Sequence, residues 1–369
     1  MVTVTNKQVI FKQVMPTGLP KKDVTTQLGS VELDIDNVDL AGGVLTRNIA
    51  CSLDPTMRNR MKGNINYFSP PYQVGKPVTA IGLAEIYRSE MEEFKKGDIV
   101  AVWDLAIEEW SVRSKESTVT FRKFDPLPGL SITTYLGAAG MTGMTAYMSI
   151  KEIIGDLKPG NTMFVTGAAG AVGQMVVQIA RQAGVKVIAS AGSDQKVKYL
   201  EQELGVERAF NYKTADFNKE LAAFGAQTNG INYYYDNVGG EQLEAYINNA
   251  ARYGVIVGCG YISGYNAEKP EDVHYPKNLF NIVTKELKYQ GFIVSSFLPK
   301  WMARFLQEIP PMLAEGKIKV SEDVTFGIDG AEDAFTRLFT GETEGKVTVL
   351  FDTERAEHFN VKPRKGGNL

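Results

Sequence analysis

Apolar positions along this chain follow two different periods, and the change from one to the other falls near residue 130. Before it, apolar residues come in short runs at 9–14, 43–50, 78–87 and 98–103, broken by glycine, proline and charged turns, which predicts a β-rich module. Over 141–154 the spacing becomes helical, Lys158-Pro159-Gly160 predicts a turn, and strands then alternate with helices as far as about Pro310. The predicted strands of this second region are 163–166, 185–189, 208–211, 231–236, 255–259 and 287–294. Six strands separated by helical segments predict an α/β domain with a doubly wound parallel sheet. Beyond Pro310-Pro311 come a strand near Val324, a helix carrying Ala331, Ala334, Phe335 and Leu338, and a strand over 347–351. That ending does not continue the alternation, so it is assigned back to the β-rich module. The predicted domains are therefore 1–130 with 311–369, and an inserted 131–310.

The strongest local signal is Gly167-Ala168-Ala169-Gly170-Ala171-Val172-Gly173, between a strand-like run and a helix whose apolar face carries Val172, Met175, Val176, Ile179, Ala180 and Ala183. Glycines where a strand turns into a helix let backbone approach a pyrophosphate, whose charge then sits at the positive end of the helix. This predicts a dinucleotide held by Gly167, Gly170, Ala171, Val172 and Gly173; the alternative is a glycine-rich turn in an α/β domain that binds no nucleotide. The second strand ends in Ser190, Ala191, Gly192 and Ser193, without the carboxylate that holds a ribose 2′-hydroxyl in NAD sites. Asp194 follows and can serve either a ribose or the cap of the next helix. At the end of the fourth strand, Asn237 within Asp236-Asn237-Val238-Gly239-Gly240 stands either beside the cofactor or in an Asx turn before the two glycines.

Composition narrows the function. A net charge of −3 over 369 residues argues against a nucleic-acid partner. Residues 162–180 approach membrane-spanning length, but Gly167, Gly170, Gly173 and Gln174 make them strand, turn and helix instead, so no membrane partner is expected. Two cysteines and no signal-peptide pattern over 1–30 predict a cytoplasmic protein, and the charged tail from Glu354, with Pro363 and Gly366-Gly367, is expected to fray. The only histidines are His274 and His358 and the only cysteines Cys51 and Cys259, with no Cys-x-x-Cys, so no tetrahedral zinc site is expected. Cys51 reads as a buried strand residue.

Seven motifs follow one another along the chain: Leu53-Asp54-Pro55 followed by Met57-Arg58, Gly140 through Tyr147, the glycine loop, Gly192-Ser193-Asp194-Gln195-Lys196, Asn211-Tyr212-Lys213, Asp236 through Gly240, and Ile262-Ser263-Gly264-Tyr265-Asn266. In that order they resemble the medium-chain dehydrogenase/reductase superfamily, and more closely its zinc-independent NADP-dependent alkenal/alkenone double-bond reductases, the leukotriene B4 dehydrogenase/prostaglandin reductase-like family. The resemblance implies a Rossmann sheet inserted in a GroES-like catalytic domain, NADP(H) as cofactor and a homodimer. It places Lys196 and Tyr212 at the 2′-phosphate, where the residues alone read equally as a solvated helix lysine and a packing tyrosine, and Ser193 among the cofactor contacts. Cys259, Tyr261, Ser263, Tyr265, Phe292 and Val294 are placed along the nicotinamide half, and Thr343 where relatives use an asparagine on the cofactor.

By the same resemblance, Tyr265 stands near the oxygen that gains charge when hydride reaches the β-carbon of an enone, and is the expected catalytic residue. Asp54, Met57 and Arg58 fall where zinc-bearing relatives bind metal; Arg58 reads equally as a surface or interface ion pair. Thr56 replaces a frequent aromatic and Ile81 a tyrosine of plant members. Met57, Arg58, Tyr67 and Ile81 are expected on the substrate side, with Phe68 and Tyr72 as further walls of an apolar cleft. The expected activity is metal-free, NADPH-dependent reduction of a small hydrophobic α,β-unsaturated ketone or aldehyde. The alternatives are a zinc-free quinone oxidoreductase and a non-catalytic NADPH-binding sensor or structural protein.

Overall fold

The structure is a computed structural model in which residues 1–362 are described. The amino-terminal stretch forms β1 (Thr3–Phe11), β2 (Thr26–Asp34), β3 (Val44–Ser52), α1 (Met57–Arg60), β4 (Thr79–Ser89), β5 (Ile99–Ala106), β6 (Trp110–Arg113) and β7 (Phe121–Lys123). The middle supplies α2 (Met141–Ser149), β8 (Thr162–Val165), α3 (Gly173–Gln182), β9 (Lys186–Ala191), α4 (Asp194–Lys198) and β10 (Arg208–Asn211). It continues through α5 (Phe217–Ala226), β11 (Ile231–Asp236), α6 (Gly240–Asn249), β12 (Ala250–Gly258), α7 (Phe280–Thr284), β13 (Lys288–Gly291) and α8 (Leu298–Ala314). The last elements are β14 (Glu322–Phe326), α9 (Ala331–Thr340) and β15 (Lys346–Leu350). Two compact units result: 1–136 with 322 onward, and 137–321.

In the first unit, a seven-stranded sheet runs β14-β15-β3-β4-β5-β7 with β6 on β3, beside a β1–β2 hairpin. All its pairings are antiparallel except β14 with β15. β2 was not predicted: its polar residues and Gly29 hide the alternation, and its register with β1, from Thr3↔Asp34 to Phe11↔Thr26, comes from the backbone ladder. The carboxyl-terminal run is anchored as far as the described residues reach. Phe359 and Val361 are buried with Ile49, Leu83 and Leu350, and the Ile132 N–H donates to the Phe359 carbonyl at 3.0 Å. The expected fraying is therefore corrected up to Lys362, while Pro363 and Gly366-Gly367 lie outside the described residues.

The second unit holds an all-parallel sheet of order β10-β9-β8-β11-β12-β13, which counted from β8 is 3-2-1-4-5-6, the dinucleotide-binding order. Its core is built on aromatic stacking. Phe164 of β8 lies 5.1 Å from Tyr234 of β11 at 8° between planes, Tyr234 lies 4.7 Å from Tyr246 of α6, and Phe210 of β10 lies 6.0 Å from Phe164. Each such pair contributes about 0.5–1.5 kcal/mol beyond burial.

Two expectations change here. The helix over 141–154 is α-helical only to Ser149 and then widens into a π turn. The expected boundary at Pro310-Pro311 moves to 321/322, because both prolines lie inside α8, whose Phe305 packs on Tyr147 of α2 at 5.9 Å. The chain after α8 is held to α3 by glutamines one helical turn apart. Gln174 and Ser321 exchange two bonds (3.1 and 2.9 Å), Gln178 and Lys319 two more (2.7 and 2.8 Å), and Gln182 donates to the Lys317 carbonyl at 3.1 Å. A side-chain ladder of this kind carries no apolar period, so the hydrophobic pattern could not show it.

Candidate functional site

In an open parallel sheet, ligands bind beyond the carboxyl ends of the strands where the order reverses, here between β8 and β11. The loop 167–173 leaves β8 at that point. Gly167 has φ +57°, and a Cβ on Gly173 would stand 2.4 Å from the Gly167 carbonyl oxygen and 2.6 Å from the Ala168 Cα, so the turn closes only around glycine. The N–H groups of Val172 and Gly173, at the start of α3, have no backbone acceptor among the described residues. Donors left over at a helix start fit an anionic group.

The two strand ends are tied together. Asn237 donates through its backbone to Thr166 Oγ1 at 3.0 Å and through Nδ2 to the Thr166 carbonyl at 2.7 Å. The Asx turn belongs to Asp236 rather than Asn237: its Oδ1 accepts from the N–H groups of Val238 (3.0 Å) and Gly239 (2.7 Å) and from the Tyr234 hydroxyl (2.8 Å). Tyr234 thus links the aromatic core to the crevice. Asp236 Oδ2 is buried with no partner among the described residues, and burial raises this carboxyl above its ordinary pKa. Thr166 is the residue that sequence reasoning missed; its place just before the glycine loop was the available signal.

On the β9 side, Ser193 caps α4, its Oγ accepting from the Lys196 N–H at 3.3 Å, which puts Lys196 in the first turn. Asp194 accepts from Asn211 Nδ2 at 2.8 Å, so its carboxylate is engaged with the end of β10. Tyr212 is 38% exposed, its ring edge and hydroxyl facing Gly192, where a Cβ would come within 3.1 Å of the oxygen. Gly192 and Tyr212 therefore sit together past the ends of β9 and β10, and Lys196 lies in the first turn of the helix that follows.

The loop after β12 folds back over the loop after β11. Cys259 and Gly260 donate to the Asp236 carbonyl at 2.9 and 3.0 Å, and Ser263 Oγ donates to the Val238 carbonyl at 2.6 Å. The Tyr265 hydroxyl accepts from the Tyr261 N–H at 3.4 Å. Burial pushes the Cys259 thiol up to about 12. Phe292 and Val294 were expected to end a strand, but β13 stops at Gly291; Phe292 stacks on Phe297 at 5.5 Å, and Val294 opens a 3₁₀ turn.

The substrate-side expectations fall in the first unit. Arg58 is fully buried rather than at a surface ion pair: its guanidinium donates to the Met15 carbonyl at 2.8 Å and to the Gly18 carbonyl at 3.2 and 2.9 Å, and burial lowers its pKa to about 10. Met57 and Tyr72 are core residues, packed with Phe11, Cys51 and Val349, so Tyr72 is not a cleft wall. Tyr67 accepts from Asn59 Nδ2 at 3.4 Å and packs on the exposed Phe68. Ile81 packs against the Ile49–Leu350 cluster, and Thr343 is buried between α9 and β15. Asp54 forms a buried ion pair with Lys346 at 2.8 Å, and Lys346 also donates to the Leu53 carbonyl at 2.9 Å. The sequence gave no sign of that pair, since its members are far apart along the chain.

A dinucleotide-type crevice in one unit and an antiparallel-rich sheet in the other define a two-domain dehydrogenase. Residues 171–310 match the sequence family described as "Zinc-binding dehydrogenase", and residues 7–120 the one described as "N-terminal domain of oxidoreductase". The chain is 36% identical over 353 residues to a 2-alkenal reductase (NADP(+)-dependent) of Nicotiana tabacum, covering 95% of this chain and 99% of the relative. It is 32% identical to (+)-pulegone reductase of Mentha piperita, covering 95% and 100%. Among solved structures, CurA in complex with NADPH from Vibrio vulnificus superimposes with a TM-score of 0.84 at 29% identity, covering 94% and 99%. The chain belongs to the NADP-dependent alkenal reductase family of medium-chain dehydrogenases/reductases.

Proposed function

We propose that this protein uses NADPH to reduce the C=C bond of small, hydrophobic α,β-unsaturated aldehydes and ketones. The observation that carries the reading is the glycine-only turn at the β8–α3 junction, with helix-start N–H groups left for a diphosphate. The absence of a carboxylate at the end of β9, with Tyr212 beside Gly192 and Lys196 in the first turn of α4, favours the 2′-phosphorylated cofactor. Ser193 serves that subsite by capping α4, and Asn237 with Cys259, Ser263 and Tyr265 of the following loop borders the ribose and nicotinamide half. Bound NADPH supplies the hydride. As electrons move onto the carbonyl oxygen, the Tyr265 phenol donates a hydrogen bond to it, worth about 3 kcal/mol if it acts like one oxyanion-hole donor. A proton then reaches the α-carbon from Tyr265 or solvent.

The residues do not fit a catalytic zinc. Among the described residues, no group of three or more His, Cys, Asp or Glu side chains is placed to hold a metal ion, and Asp54 is paired with Lys346. We therefore read the reaction as metal-free. The test is NADPH consumption with crotonaldehyde and with benzoquinone. Turnover of the enal supports the proposal, turnover of the quinone alone makes the protein a quinone reductase, and NADPH binding without turnover of either makes it a sensor.

We further infer a homodimer formed along β13, the edge of the parallel sheet. Tyr289 of β13 and Ile293 just after it are exposed, and α7, which precedes that strand, carries Phe280 at 73% exposure with exposed Leu279 and Val283. Phe280→Glu should convert a dimer to a monomer in sedimentation; a wild-type monomer sinks this reading. No helix among the described residues is long and apolar enough to cross a membrane. Both cysteines are free, which suits the reducing cytoplasm we assign.

A further inference from the structure

We propose that Tyr261 is a positioning residue that sets the Tyr265 phenol, and that the Glu244–His274 pair braces Tyr261 from outside the crevice. The proposal rests on the reading of Tyr265 as the donor to the substrate oxygen.

Five contacts carry it. A Cβ placed on Gly239 would fall 2.0 Å from Tyr261 Cδ2 and 2.1 Å from Cε2, so the ring lies flush on a backbone that only glycine allows, with φ +69°. The Tyr261 hydroxyl donates to the His274 carbonyl. His274 Nε2 meets Glu244 Oε2 at 2.7 Å, and the same oxygen accepts from the Lys277 N–H at 3.0 Å. Finally, the Tyr261 backbone N–H donates to the Tyr265 oxygen at 3.4 Å.

The consequence is directional. One ring face and the hydroxyl of Tyr261 are spent inside the protein, on Gly239 and His274, which leaves its main-chain N–H as the group that meets the reacting residue. A donor on the Tyr265 oxygen fixes where that oxygen sits. It also polarises the phenol, so its own O–H becomes a stronger donor toward the substrate. Glu244 lies on α6, which starts at Gly240, so the brace fastens the 259–265 loop to the same helix that follows Asp236 and Asn237. Tyr261 thus acts through Tyr265 rather than by holding cofactor, which departs from the role that the family resemblance implies.

Single-turnover oxidation of NADPH by crotonaldehyde, at saturating levels of both, is measured for the wild type, Tyr261→Phe, Tyr265→Phe and the double variant, with NADPH affinity and thermal stability alongside. Tyr261→Phe keeps the ring on Gly239 but loses the bond to His274. Its rate is expected to fall on the order of tenfold, the scale of a sub-ångström misplacement, with NADPH affinity unchanged. In the Tyr265→Phe background the same change should have no further effect, because the two act in series. Glu244→Ala is the second variant and should lower the rate in the same way while leaving NADPH affinity intact. Additive losses, or a loss of NADPH affinity in Tyr261→Phe, overturn the proposal while Tyr265 keeps its role. An unaltered rate in Tyr265→Phe overturns the role of Tyr265 itself, and this proposal with it.

Discussion

Gly173→Ala is the substitution whose cost follows most directly from the coordinates. The new methyl would stand 2.4 Å from the Gly167 carbonyl oxygen, 2.6 Å from the Ala168 Cα and 2.8 Å from the Ala168 carbonyl oxygen, all of them backbone atoms that no side-chain rotation can clear. The loop must therefore move away from α3. Overpacking of this kind costs ~1–3 kcal/mol, and for a unit of this size each kcal/mol lowers Tm by about 2–4 °C. The predicted fall in Tm is thus about 2–12 °C. In the site proposed above, the same displacement would pull the first turn of α3 from the diphosphate; losing one charge-assisted bond of about 1.5–3 kcal/mol would weaken NADPH binding by roughly tenfold or more. Gly170→Ala is the internal control. Its Cβ meets only the Gly167 oxygen, at 3.1 Å, so a shift of a few tenths of an ångström suffices and the loss of stability is under about 1 kcal/mol. Calorimetry and fluorescence titration with NADPH read both quantities. If Gly173→Ala matches the wild type in Tm and affinity, the tight turn is not what holds the cofactor.

Two other perturbations test separate parts of the account. Lys196→Ala should raise the KM for NADPH by roughly ten- to hundredfold and leave that for NADH unchanged; equal effects on both remove Lys196 from the 2′-phosphate. Glu322 has a buried Oε1 with no partner among the described residues, and burial raises its pKa. Because the native state then holds this proton more tightly than the unfolded chain, its contribution to stability is full below the unfolded carboxyl range and is lost as pH rises through the raised native value. Stability of Glu322→Gln relative to the wild type should therefore increase between about pH 4 and pH 7. A pH-independent difference between the two rules out burial of an ionising carboxyl there.

What the sequence showed and what it hid divide along physical lines. The parallel sheet was legible because its central strands, β8 above all, carry runs of apolar and aromatic residues, and the β8–α3 turn because its glycines are needed for backbone reasons that composition reveals directly. β2 escaped because only one of its nine residues is buried and its register is a main-chain matter. The domain boundary was placed too early because two prolines look like a stop, whereas Phe305, Ile309 and Leu313 keep α8 packed past them. At the site, Asp236 and Asn237 were found as a pair, but which of them makes the turn depends on the position of Thr166, just past the end of a different strand. Arg58 and the Asp54–Lys346 pair lay beyond pattern reading altogether, since burial of charge shows only when distant segments meet.

The central claim is the destination of the hydride, and one labelling experiment addresses it. Crotonaldehyde is reduced with NADPH carrying deuterium at the transferable position, and the product is examined by NMR. The account predicts butanal with deuterium on the former β-carbon and an aldehyde proton left untouched. Crotyl alcohol bearing deuterium on the carbinol carbon would contradict it.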